Sequence, residues 1–166
     1  GMKQRVMIAM ALGCEPKFLV ADEPTTALDL IAQRNVLKLL RDIQKRMNLS
    51  VVLISHDLSV IAQIADRCAI MYAAKIVEVG DIVTIFKGGV HPYTRALLGS
   101  FPDLRSEKKI EGIPGDPPNL IVPPPGCRFQ PRCPLTRAHG CPEICKSFEP
   151  ELVEKQGHPV ACHLVQ

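Results

Sequence analysis

Apolar residues recur along this chain in two rhythms. "MKQRVMIAMAL" (2–12) brings Val6, Met7, Met10 and Ala11 onto one side of a 3.6-residue repeat, which predicts a helix. "KFLVA" (17–21) is short and almost wholly apolar, the pattern of a strand buried on both faces. "LIAQRNVLKLLRDIQKRM" (30–47) places Val36, Leu37, Leu40, Ile43 and Met47 at i, i+3/i+4 spacing and predicts a second helix. "SVVLIS" (50–55) predicts another buried strand and "DLSVIAQIA" (57–65) a helix. "CAIMYA" (68–73) and "KIVEVG" (75–80) read as strands around a tight turn. Apolar strands alternating with amphipathic helices imply an α/β fold with a parallel sheet covered on both faces.

Proline marks a change of character. Only two of the fifteen prolines precede residue 90. Residues 81–101 read as two short helices broken by "KGGVHP" (87–92). "IPGDPPNLIVPPPG" (113–126) is too rich in Pro and Gly for helix or strand and reads as a semi-rigid linker. The expected plan is therefore an α/β part over 1–80, a helical segment and linker over 81–126, and a cysteine-rich module over 127–166.

Composition narrows the function classes. A hydrophobic content of 46% with 22% charged residues describes a folded globular chain. The formal net charge of +3 is spread out, aromatics make up 4% and Trp is absent, which argues against a nucleic-acid partner. No apolar run has the length of a membrane span and the start does not read as a signal peptide, so a cytoplasmic location is expected. "GMKQRV" opens directly into a helical pattern with no cap, as if the chain began inside a longer protein.

Two constellations carry chemistry. Asp22 and Glu23 end one predicted parallel strand and His56 follows another. Open α/β sheets bind ligands beyond those strand ends, which predicts one shared site. One carboxylate there can hold Mg²⁺ through its waters, its neighbour can orient or deprotonate a water, and the histidine can contact a terminal phosphate. Simple capping of the turn and the next helix explains any one of the three alone, but less readily all three. The second constellation is Cys127, Cys133, Cys141, Cys145 and Cys162, spaced C-x5-C-x7-C-x3-C-x16-C. Thiolates in a small Pro-rich segment suit Zn²⁺ or an iron–sulfur cluster, and the spacing alone leans to zinc. His139, His158 and His163 are substitute zinc ligands, more simply read as solvated loop histidines. Cys14 and Cys68 read as small buried hydrophobes.

These segments resemble a known family. "FLVADEPTTALD" is similar to the Walker B and D-loop segment of ABC-transporter ATPases, "LISHDLSVIAQIADR" to their switch-histidine segment, and "GMKQRVMIAMAL" to the end of their signature motif and its helix. "HPYTRALLGSFPD", "IPGDPPNL", "GCRFQPRCP" and "ACHL" resemble the C-terminal extension of oligopeptide/dipeptide-importer ATPases. The resemblance implies the C-terminal part of a P-loop, RecA-like nucleotide-binding domain that works with ATP and Mg²⁺. By it Asp22 serves Mg²⁺, Glu23 is the catalytic base, His56 contacts the γ-phosphate, Asp29 belongs to the D-loop and Gly1 closes the signature. It also implies a possible [4Fe–4S] cluster on Cys127, Cys133, Cys145 and Cys162, with Cys141 as a competing ligand. Implied partners are integral membrane permease subunits and a second ATPase subunit, placing the protein peripherally on the inner face of the membrane.

The chain departs from that pattern in lacking the phosphate loop, the Q-loop region and the opening of the signature. The phosphate loop G-x-x-x-x-G-K-[ST] does not occur, and no glycine is followed by lysine. The expectation is a fragment that neither binds nor hydrolyses ATP alone, and whose uncovered sheet edges make it self-associate. The competing reading is a non-catalytic metal-binding interaction module on an ATPase scaffold. A DNA-repair or chromatin ATPase is disfavoured by the absence of basic patches.

Overall fold

The computed structural model describes residues 1–100 and 112–166, which form two compact units, Gly1–Ala65 and Asp66–Gln166. The first contains α1 (Met2–Leu12), β1 (Phe18–Asp22), α2 (Leu30–Met47), β2 (Ser50–Ile54) and α3 (Leu58–Ile64). β1 and β2 pair in parallel from Phe18↔Ser50 to Asp22↔Ile54, joined by α2 as a crossover helix. Asp29 starts α2 by accepting the Ala32 N–H at 2.8 Å, and Asn48 ends it in the left-handed region at φ +49°. The spacing read from the sequence holds for this helix as far as Ile43, whereas Met47 in the last turn is 43% exposed. Val36, Leu37 and Leu40 are buried, and Val36 and Leu40 join Leu19 and Leu49 in one cluster.

Three expectations fail in this unit. On α1 the stripe that packs is Ile8 and Leu12, whereas Val6, Met7 and Met10 are 59%, 67% and 73% exposed. The helix is apolar nearly all round, so periodicity could not select its inner face. The parallel sheet is covered on one face only among the described residues. Leu19 and Val51 pack against the cluster, while Phe18, Val20, Val52 and Ile54 stay exposed on the other face. Cys14, read as a buried hydrophobe, is exposed beyond the end of α1.

The second unit holds β3 (Arg67–Tyr72), β4 (Lys75–Asp81), α4 (Ile82–Gly88), α5 (Pro92–Gly99), a 3-10 turn (Gln130–Arg132), α6 (Pro134–His139), α7 (Glu143–Ser147), β5 (Val153–Lys155) and β6 (His158–Val160). Its sheet runs β3-β4-β6-β5 and is antiparallel throughout. Ala73 and Ala74 turn the β3–β4 hairpin with φ of +48° and +63°, both in the left-handed region that two-residue hairpins demand. The hairpin thus pairs with the cysteine-rich stretch, through Glu78↔Val160 and a 2.8 Å bond from the Ala161 N–H to the Val77 carbonyl. The compact units accordingly divide after Ala65, not where the composition changes. The two short helices expected over 81–101 are present as α4 and α5; their expected end at 101 lies outside the described residues.

The cysteine-rich stretch shares its core with the strands and helices before it. Phe129 and Cys133 are buried with Ile70, Tyr72, Val77 and Ile85. The Phe129 ring meets Tyr72 edge-on at 5.0 Å and Tyr93 at 5.4 Å, the preferred aromatic geometry. The stretch 113–126 is neither helix nor strand, but its start is fastened. Arg132 donates to the carbonyls of Ile113 and Pro114, each at 3.0 Å, and Ile113 packs on the core.

Candidate functional site

Parallel register brings the ends of β1 and β2 level, so the residues after each strand emerge side by side. The Glu23 N–H donates to the Ile54 carbonyl at 2.9 Å, adding one rung beyond the strands. At φ +45°, Glu23 then turns the chain away in the left-handed region, a conformation that costs a non-glycine residue about 1–3 kcal/mol. Its carboxylate is held on both oxygens. Oε1 accepts the His56 backbone N–H at 2.9 Å and lies 2.7 Å from His56 Nδ1, while Oε2 accepts the Thr26 hydroxyl at 2.9 Å. The His56 side chain, chiefly, holds the Glu23 carboxyl below the usual carboxylate range, helped by the His56 N–H and Thr26. An ionised carboxylate only accepts, so the ring proton belongs on Nδ1 and Nε2 remains available on a ring 81% exposed.

Asp22 closes β1 opposite Ile54, exposed, with no hydrogen bond or ion pair among the described residues. A single free carboxylate beside the Glu23–His56 pair fits a cation that keeps most of its waters, as Mg²⁺ does. His56 does not cap the next helix. Asp57 does, accepting from the Ser59 N–H at 2.8 Å and its hydroxyl at 2.6 Å, contacts that hold its carboxyl down. Asp29 is the N-cap of α2, and Gly1 stands exposed at the start of α1, its carbonyl accepting from the Arg5 N–H. Geometry therefore joins Glu23, His56 and Thr26, with Asp22 adjacent in sequence, and gives Asp29 a local structural task.

Sequence reasoning missed a buried carboxylate in the second unit. Glu78 is fully buried on β4; Oε1 accepts from the Val90 N–H and His158 Nε2, each at 2.7 Å, and Oε2 from the His91 N–H at 3.2 Å. His91 in turn accepts the Tyr93 N–H at 3.0 Å and caps α5, and burial pushes its pKa down to about 4. The available signal was a lone Glu inside the apolar run "KIVEVG": such a residue needs buried donors.

The cysteines come together only in part. Burial pushes the Cys127 thiol up to about 11, with smaller contributions from the thiols of Cys162, Cys145 and Cys133. The Cys127 N–H donates to the Cys145 carbonyl at 2.9 Å, and a Cβ on Gly126 would lie 2.5 Å from that oxygen, so only glycine fits there. Cys141 donates to Gln130 Oε1 at 3.2 Å. Yet among the described residues no group of three or more His, Cys, Asp or Glu is arranged to hold a metal ion. Cys133 packs with Phe129 and Ile85, whereas Cys162 belongs to a different cluster with Val90 and Val160. His158 is taken by Glu78 and His163 by the Phe148 carbonyl; the His139 side chain lies outside the described residues. Among the described residues this arrangement gives no support to an iron–sulfur cluster, to zinc or to the metal-module reading.

Residues 77–141 match the family described as "Oligopeptide/dipeptide transporter, C-terminal region". The dipeptide transport ATP-binding protein DppD of Bacillus subtilis is 48% identical over 166 residues, which is 99% of this chain and 48% of that protein. The oligopeptide transport ATP-binding protein OppD of Salmonella typhimurium is 47% identical over 163 residues, 98% of this chain and 47% of that protein. The chain belongs with the ATP-binding subunits of oligopeptide and dipeptide ABC transporters. It spans about half the length of these relatives. A solved dimeric ATP-binding cassette, in a post-hydrolysis state with ADP and Pi, is 29% identical with a TM-score of 0.44, covering 48% of this chain and 34% of that one. The chain's own architecture is mixed α/β, with one parallel and one antiparallel sheet. Among the described residues no helix is long and apolar enough to cross a membrane.

Proposed function

We propose that this chain supplies the water-activating half of an ATP site in the ATPase subunit of a peptide importer. The observation that carries the reading is the 2.7 Å contact between Glu23 and His56 at the level ends of two parallel strands. Bound Mg²⁺–ATP would bring the transferable phosphoryl group and the neutralising charge. Asp22 would hold the cation, and Glu23 would accept the proton of the attacking water. The contacts that depress the Glu23 carboxyl keep it ionised at neutral pH, the form a general base requires. They also occupy both oxygens, so His56 and Thr26 orient the carboxylate at some cost in basicity. If His56 turned its ring to a phosphate, Oε1 would lose the ring contact, keep the His56 backbone N–H, and recover part of that basicity. In the assembled importer the partners would be membrane permeases and a second ATPase subunit, on the cytoplasmic face.

The chain lacks a phosphate loop, and the proposal includes that it does not hydrolyse ATP alone. The test compares the 166-residue chain with the same chain joined to the preceding half of a DppD relative. The joined form should hydrolyse ATP, and Glu23→Gln should cut kcat by about 10²–10⁴-fold. Undiminished hydrolysis by Glu23→Gln would refute the assignment, and hydrolysis by the unjoined chain would refute the division of labour.

A further inference from the structure

The second unit contains a cavity of about 440 Å³, within the range of about 300–1,000 Å³ typical of small-molecule sites. Its floor is apolar, from Val77, Phe129 and Ala161, all buried. Four charged residues line it as well: Lys75 and Arg128 are cationic, Glu149 and Glu151 anionic. Two of these satisfy each other, since Lys75 Nζ pairs with Glu149 Oε1 at 2.5 Å. The other two retain unused capacity. Arg128 spends Nη1 on the Ala73 carbonyl at 2.6 Å, leaving donors of its planar fork, and the Glu151 carboxylate makes no hydrogen bond or ion pair among the described residues. One open guanidinium and one open carboxylate over an apolar floor complement a ligand with both charges and an apolar side chain. A simple anion would face Glu149 and Glu151, and a simple cation would face Lys75 and Arg128, so each pays like-charge repulsion that a zwitterion avoids.

We infer that this cavity binds a short zwitterionic peptide with an apolar side chain, its carboxylate on Arg128 and its ammonium on Glu151. Bidentate pairing is the geometry a guanidinium offers a carboxylate, and the floor takes the side chain. The site uses no residue of the Glu23–His56 constellation, so it stands or falls independently of the ATPase reading.

The test titrates the 166-residue chain with alanyl-leucine, without nucleotide, following backbone amide shifts by NMR. Saturable shifts are expected at Val77, Phe129 and Ala161. N-acetylated and C-amidated forms of the same dipeptide should each bind about tenfold more weakly. Arg128→Lys should weaken the free dipeptide but not the C-amidated one, and Glu151→Gln should weaken the free dipeptide but not the N-acetylated one. A merely structural role for either side chain would lower all affinities alike. The proposal is overturned if no saturable shift occurs, if the blocked peptides bind as well as the free one, or if free leucine binds as tightly as the dipeptide.

Discussion

Replacing Glu78 by alanine should unfasten the second unit. The carboxylate is fully buried and accepts from the Val90 N–H, the His91 N–H and His158 Nε2. Truncation leaves these donors buried without a partner, each costing about 1–3 kcal/mol, and opens a cavity beside His158 and the paired Val160. The penalties overlap because the donors can relax together, so the expected loss is about 3–5 kcal/mol, as for removing one side of a buried pair. For a unit of this size each kcal/mol lowers Tm by about 4–8 °C, so the shift should exceed about 10 °C. Tyr72 and Tyr93 both lie in this unit and Trp is absent, so intrinsic fluorescence during urea unfolding reports it without interference from Gly1–Ala65. Amide exchange at Val90 and His91 should accelerate in parallel. A cycle with His158→Ala separates the histidine contact from the two backbone bonds. Destabilisation below about 1 kcal/mol, or unchanged protection of the Val90 amide, would show that the carboxylate does not bind the loop as described.

Two further outcomes follow from titration behaviour. The buried His91 has its pKa lowered from 6.5 to about 4, so below pH 6.5 the unfolded chain takes a proton that the folded chain refuses. This contribution to stability is intact above pH 6.5 and is lost on acidification through about pH 4, by at most about 3 kcal/mol; His91→Asn, which keeps a cap acceptor, should flatten that window in urea unfolding followed by fluorescence, and an unchanged slope would exclude His91 as its source. In the reduced chain, iodoacetamide at pH 8 should modify exposed Cys14 well before Cys127, whose thiolate fraction with a pKa of about 11 is on the order of a thousandth. Peptide mapping reads the order, and equal rates would show that the Cys127 surroundings open freely.

The sequence by itself determined what is encoded locally. α2 follows from its spacing, with Asp29 and Asn48 closing its ends. The paired acids after β1 and the histidine after β2 were recognisable because each directly follows a short apolar run, and parallel register then had to place them together. Tertiary structure decided what depends on distant partners. It selected Ile8 and Leu12 as the packed stripe of α1, because a helix apolar on most sides carries no directional signal. It drew β4 onto β6 through the Glu78–Val160 pairing, which joins residues eighty-two positions apart, and the lone Glu in its apolar run does not say which segment it meets. It also packed Cys133 and Cys162 into different apolar clusters, since a thiol that packs as a small apolar group looks in sequence just like one that ligates. Periodicity specifies which elements form, because it arises from neighbours along the chain. The environment of a buried charge or thiol is specified only when remote segments meet and exclude water.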